Sequence, residues 1–77
     1  MRSEIFRQID VELTYARQRY PKFNSLHEGY AVILEELDEL WDLIKESKKL
    51  TADSKMRKEA IQIASMAIRF IEDLYHG

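Results

Sequence analysis

Ser25-Leu26-His27-Glu28-Gly29-Tyr30-Ala31-Val32-Ile33-Leu34-Glu35-Glu36-Leu37-Asp38-Glu39-Leu40-Trp41-Asp42-Leu43-Ile44-Lys45-Glu46 decides the fold, because it combines a helix start signal, a helical apolar pattern and an excess of acid. Ser25 and Glu28 fit a capping box, a hydroxyl at the N-cap and a carboxylate three residues on, so a helix begins near Ser25. Leu26, Tyr30, Ile33, Leu37, Leu40 and Ile44 alternate spacings of four and three, which makes a seam for packing against other helices. At about 100° per residue, Glu28, Glu35, Glu39, Asp42 and Glu46 lie roughly opposite that seam, and Glu36 falls between the two faces. From Glu35 to Glu46 there are six acids and one base, Lys45. The pairs Glu35/Glu39, Asp38/Asp42 and Asp42/Glu46 are like charges at i,i+4, each costing an isolated helix a few tenths of a kcal/mol. An ordinary solvated acidic face is one reading of the excess; a cation site is the other.

Upstream, Ile5, Ile9, Leu13 and Ala16, with Phe6 alongside, predict an amphipathic helix over about 3–19 that stops before Pro21. Downstream, 47–52 reads as a polar connection, and Asp53 or Ser54 is placed to cap a third helix running to about Tyr75. Between Ala60 and Ile71 only Gln62, Ser65 and Arg69 are strongly polar, so this helix is buried on more than one side and one of its faces is expected to meet another subunit. With two glycines and one proline in 77 residues, the chain has few breakers. The expected fold is all-α and a single domain over 1–77. It has three helices, a helical hairpin plus an N-terminal helix, with a four-helix-bundle-type core completed by homo-oligomerisation. Self-association is expected because a chain this short buries only about 60% of its surface.

Composition narrows the function. The sequence is 45% hydrophobic and 34% charged, typical of a soluble globular chain, and no apolar run approaches the roughly 20 residues of a membrane span. Met1 to Phe6 lack the apolar stretch of a signal peptide, which gives a cytoplasmic expectation. Without cysteine there is no disulfide, thiolate metal site or thiol nucleophile. A net charge of −2 argues against binding a nucleic-acid backbone. The chain also has no Gly-rich phosphate loop and no nucleophile elbow.

Glu59 shares one helical stripe with Ile63, Met66 and Phe70, with Met56 and Leu74 at its edge. A carboxylate in line with core residues is costly unless it is paired or binds a metal. If the third helix began at Lys55, Glu59 would instead be a first-turn acid favoured by the macrodipole. Glu36, Glu39 and Glu59, brought together from two antiparallel helices, would make an oxygen-rich site suited to Mg²⁺ or Mn²⁺.

These acids resemble the signature of the MazG-like, all-α nucleoside triphosphate pyrophosphohydrolases, E-E-x-x-E on one helix and E-x-x-D on the next. Glu35-Glu36-Leu37-Asp38-Glu39 supplies the first half, and nineteen residues, 40–58, separate it from Glu59-Ala60-Ile61-Gln62. The second half carries Gln62 where the family has Asp. His27 to Leu34 before the acids and Glu59 to Leu74 after them look like short phage- and prophage-type members, and the resemblance covers roughly 20–74. It implies Mg²⁺- or Mn²⁺-dependent cleavage of a nucleoside triphosphate to a monophosphate and pyrophosphate. Glu36, Glu39 and Glu59 would hold the metal, with Gln62 ligating through its carbonyl, and Glu35 would be a ligand or the base that orients water. A non-catalytic helical module serving a structural or regulatory role is the alternative.

Other side chains carry weaker signals. Lys45, Lys48, Lys49, Arg57 and Lys58 flank the acids, and of these Lys45 and Arg57 are candidates to hold phosphates. Asn24 is a candidate to read a base edge. Tyr20, Phe23 and Trp41 offer faces for stacking a base, although Trp41 beside Leu37 and Ile44 reads first as core or interface. His27 and His76 read as surface residues and form no H-x-x-x-H pair. Arg69 reads as a snorkelling or interface-pairing arginine.

Overall fold

Helices α1 (Arg2–Arg19), α2 (Leu26–Glu46) and α3 (Lys49–Leu74) account for nearly all of the chain. The computed structural model describes residues 1–46 and 49–75, with the backbone alone for 49–52, and shows no strand among them. Lys48, His76 and the side chain of Lys49 lie outside the described residues. Among the described residues no helix is long and apolar enough to cross a membrane.

Two helix boundaries follow the sequence signals. Tyr20 is extended (φ −130°, ψ 144°) and ends α1, as the residue before a proline must leave the helical region. Ser25 Oγ accepts the Glu28 N–H at 3.0 Å and so caps α2. Glu28 does not return the bond to Ser25; its carboxylate accepts the Asn24 N–H at 2.6 Å, one residue further out. The start of α3 differs from expectation. Residues 49–54 are already helical, because they contain no glycine or proline and a helix extends readily into a segment that nothing breaks. Glu59 is therefore well inside α3, and its reading as a first-turn acid falls away.

Contacts fix the topology. Gly29 meets Phe70 while Glu36 meets Gln62, so α2 runs antiparallel to α3. Arg57 bonds Gln8 while Arg17 bonds Asp73, so α1 runs parallel to α3. Both outer helices pack on α3 and not on each other. The core is correspondingly thin: Ala16, Phe23 and Met66 are buried together, with Val32, Ile33, Phe70 and Leu74 packed against them.

The α1 stripe is borne out, with Ile9 and Ala16 buried and Ile5 and Leu13 half-buried, although Phe6 is exposed. The α3 stripe of Ile63, Met66 and Phe70 also faces inward. The α2 seam needs correction. Ile33 and Leu40 are half-buried, but Leu26, Tyr30, Leu37 and Ile44 are exposed. The helix is rolled so that Gly29, the buried residue of α2, faces α3. A Cβ on Gly29 would lie 2.5 and 2.8 Å from the Phe70 ring, so only glycine permits this approach. With a single neighbouring helix inside the chain, one side of the seam remains uncovered.

The α1–α2 connection is clamped to the end of α3. Phe23 N–H donates to Asp73 Oδ2 at 3.0 Å, Arg17 Nη1 donates to Asp73 Oδ1 at 3.0 Å, and Arg69 Nη2 donates to the Pro21 carbonyl at 2.8 Å. Arg69 also lies 3.7 Å from Asp73 and stacks on Phe23 at 4.4 Å. Arg69 therefore pairs within the chain, and Asp73, its partner one turn on, was not anticipated. Burial pushes the Asp73 carboxyl up, but the Phe23 N–H and Arg17 hydrogen bonds, with the charges of Arg17 and Arg69, outweigh it and hold it below its ordinary 3.8.

Two variants test this framework. Gly29→Ala gains helix propensity but overpacks against Phe70, for a net loss of about 1–2 kcal/mol in urea unfolding; an unchanged midpoint would mean that the Phe70 ring yields freely. Asp73→Ala leaves the buried Phe23 N–H without an acceptor and the buried Arg69 guanidinium without a counter-charge, while Arg17 keeps Glu72, and is expected to cost about 3 kcal/mol. Because the folded carboxyl titrates below its unfolded value, its contribution is full above 3.8 and lost as pH falls through the folded value. The gap between wild type and variant should narrow correspondingly in acid.

Candidate functional site

The antiparallel register of α2 and α3 sets Glu36 and Glu39 beside Glu59. Carboxylate oxygens of these three residues, one from each, lie within 4.8 Å of one another. Glu36 and Glu59 are half-buried and Glu39 is exposed. Gln62, one turn after Glu59, is oriented by the same network: its amide nitrogen donates to Glu36 Oε2 at 2.6 Å and to Glu59 Oε1 at 3.1 Å. The orientation follows from chemistry, since two carboxylates accept and do not donate. In this arrangement Gln62 acts as a neutral donor between two acids.

The acids pay electrostatically for their closeness. Burial raises the Glu36 carboxyl most, and the charge and shared hydrogen bond of Glu59, followed by the charges of Glu39 and Glu35, push it up to about 7. Glu39 is raised for the same reasons, desolvation first and then Glu59. Gln62 works against this rise by donating to the ionised form.

Beside the acids a groove of about 520 Å³ runs between α1 and α2, floored by α3. Tyr15, Tyr20, Phe23, Val32 and Met66 are among its apolar walls, Glu35, Glu36 and Gln62 border it on the cluster side, and Arg69, Glu12 and Glu28 add charge to the lining. Glu35 thus faces the groove without joining the cluster of three. A planar apolar group is the kind of ligand such a groove can take.

The three expected substrate contacts are not brought here. Lys45 pairs with Asp42 at 3.4 Å and lies over the Trp41 ring. Arg57 donates to Gln8 and ties α3 to α1. Asn24 is exposed, its N–H held by Glu28. None of them lines the groove. The physical reason for Lys45 and Arg57 is helical phase, since each projects from its helix roughly opposite the acids. Of the aromatic candidates, Tyr20 and Phe23 line the groove and Trp41 does not. Tyr15 and Glu12 on α1 and Val32 on α2 were missed as lining residues; the placement of α1 and α2 on either flank of α3 reveals them.

The chain matches no family model, no curated protein and no solved structure. Its functional reading rests on this geometry and on the acid spacing.

The strain in the cluster has a measurable sign. With a folded value near 7 against an ordinary 4.5, the contribution of Glu36 to stability is full below 4.5 and lost as pH rises through 7. In metal-free protein Glu36→Gln should match wild type in acid and exceed it at about pH 8.5, by on the order of 1–2 kcal/mol after discounting for solvent screening. Equal stabilities across the range would show that the acids are too well solvated to repel.

Proposed function

We propose that this chain is a divalent-metal-dependent nucleoside triphosphate pyrophosphohydrolase, releasing a monophosphate and pyrophosphate as a homo-oligomer. The observation that carries the reading is the meeting of Glu36, Glu39 and Glu59 next to an apolar groove. Three carboxylates without nitrogen or sulfur donors suit Mg²⁺ or Mn²⁺ and not zinc or copper. A bound ion supplies charge neutralisation for the triphosphate and acidifies water. Glu36, Glu39 and Glu59 hold it, and a turn of the Gln62 amide presents the carbonyl oxygen as a further, uncharged ligand. Glu35, at the groove edge, orients the attacking water and takes its proton. Tyr20 and Phe23 give the nucleobase its apolar wall, and Phe23, backed by Arg69, is the more rigid of the two.

A second reading, a non-catalytic helical module that keeps the fold and serves a structural or regulatory role, has a specific observation in its favour. Gln62 already satisfies two of the acids as a donor, and Lys45, Arg57 and Asn24 do not reach the groove to hold phosphates.

Pyrophosphate release separates the two. With a panel of ribo- and deoxynucleoside triphosphates and Mg²⁺ or Mn²⁺, wild type is expected to turn over at least one substrate, while Glu36→Gln and Glu59→Gln each lose about 100-fold or more. Absence of turnover on every substrate sinks the enzyme reading. A rise in melting temperature with either metal, lost in both variants, would then support a metal-holding module, because an ion that binds only the folded chain stabilises it by mass action.

A further inference from the structure

We propose that the groove between α1 and α2 takes an uncharged nitrogen heterocycle by its ring lactam, the C=O received by Arg69 and the N–H by a carboxylate of the rim. Arg69 lines the groove, its side chain is 4% exposed, and its donors are poorly matched. Nη2 has the Pro21 carbonyl at 2.8 Å, but Asp73 Oδ2, at 3.7 Å, is too far for a hydrogen bond. Nη1 has the Met66 thioether at 3.6 Å, and sulfur is a weak acceptor. Nε is buried with no partner among the described residues. A guanidinium withdrawn from water with donors unsatisfied is destabilising, and an acceptor arriving from the groove removes part of that penalty.

Met66 is the movable part. It lines the groove beside Arg69, and its unbranched side chain with three rotatable bonds lets the sulfur swing aside and leave Nη1 to a stronger acceptor. Phe23 fixes the guanidinium from the other direction, its ring centroid 4.4 Å from Cζ. With that face covered, Arg69 donates along its edge, to an acceptor on a flat ligand.

Charge selects a lactam over an anion. Glu12, Glu28, Glu35 and Glu36 line the groove, and Arg69 is the one basic residue among its described lining. A carboxylate or phosphate brought to Arg69 is repelled by these acids, whereas a carbonyl is not. The acids in turn accept N–H groups. Glu12, half-buried on the α1 wall, has no hydrogen bond or ion pair among the described residues. A ring C=O beside a ring N–H is the uncharged group that answers both demands, and Tyr15, Tyr20 and Phe23 provide apolar walls for the ring. An amino-purine places a donor where the carbonyl belongs, against a guanidinium that can only donate. The further step, that the groove selects oxo bases over adenine in a nucleotide, rests on the hydrolase reading; the lactam preference stands on the groove alone.

Inosine and adenosine, nearly identical in size and differing in a lactam against an amino-substituted ring, test it. Titrated into metal-free protein and followed by ¹H–¹⁵N NMR, inosine is expected to saturate the groove resonances at low-millimolar concentration and to bind about tenfold more tightly than adenosine. The Arg69 Nε–H signal should move with inosine. Met66→Gln, whose carbonyl offers Nη1 an acceptor from within the chain, should bring inosine down to the adenosine level. Equal affinities in wild type, or no saturation by inosine at about 20 mM, well above the millimolar range in which a ligand of this size binds, overturns the proposal. Should Met66→Gln fail to fold, the Nε–H signal decides: groove resonances that shift while it stays fixed place the carbonyl elsewhere and overturn the proposal equally. Neither metal nor phosphate enters the assay, so its outcome is separate from that of pyrophosphate release. An inactive chain that prefers inosine keeps the lactam site and loses the hydrolase reading; an active chain without the preference does the reverse.

Discussion

The Asp73 carboxylate governs how the three helices are assembled. An acid in the last turn of a helix faces the negative end of the macrodipole, and this one is also buried, with its side chain 1% exposed. It is stable there because Phe23 N–H, Arg17 and Arg69 converge on it. The exchange is reciprocal, since the Phe23 N–H lies in a segment that has left α1 and not yet entered α2, and would otherwise be buried without an acceptor. One carboxylate thus fixes where the connection lands. It holds α1 by Arg17, the connection by Phe23 and α3 by its own backbone.

From that anchor the site follows geometrically. Phe23 buried under Arg69 sets the start of α2 against the end of α3, and Gly29 allows the Phe70 ring to close the gap. A helix entering at that point, antiparallel and in close contact, carries Glu36 level with Glu59 and Gln62 two turns later. The same anchor keeps α1 on the opposite flank of α3, and the groove is the space left because α1 and α2 do not touch. Packing therefore creates the electrostatic conflict among Glu36, Glu39 and Glu59; it does not relieve it. Gln62 relieves part of it, as a donor that adds no charge. Aspartate at that position would add a fourth carboxyl to a group whose Glu36 is already pushed up to about 7.

Much of this was legible in the residues. The helices, the inward stripes of α1 and α3, the Ser25 cap and the pairing of Glu36 and Glu39 with Glu59 all follow from local chemistry and the 3.6-residue period. What was not legible depended on rotation and on non-local bonds. The period of α2 marks six apolar positions as one broad seam and does not say which edge of it meets α3. That choice is made by Gly29, whose small size matters only opposite Phe70. Lys45 and Arg57 are near the acids in sequence but point away from them by helical phase, a test that the sequence alone permits. Asp73 was hidden among ordinary helix-end charges, because its partners at 17 and 23 are distant in sequence.

The opposite sides of α2 make opposing demands on the same helix. Its acidic side carries like-charge pairs at i,i+4 that weaken helicity, and its exposed apolar side gains nothing from water. An isolated three-helix chain would bear both penalties with few buried hydrophobic residues to offset them. Packing of Gly29 against Phe70 and of Ile33 against the core offsets part of that repulsion and does so without neutralising it. The carboxylates of Glu36, Glu39 and Glu59 therefore stay close together in the folded chain. The inward residues of α2 thus stabilise a helix whose acidic side is kept in electrostatic strain.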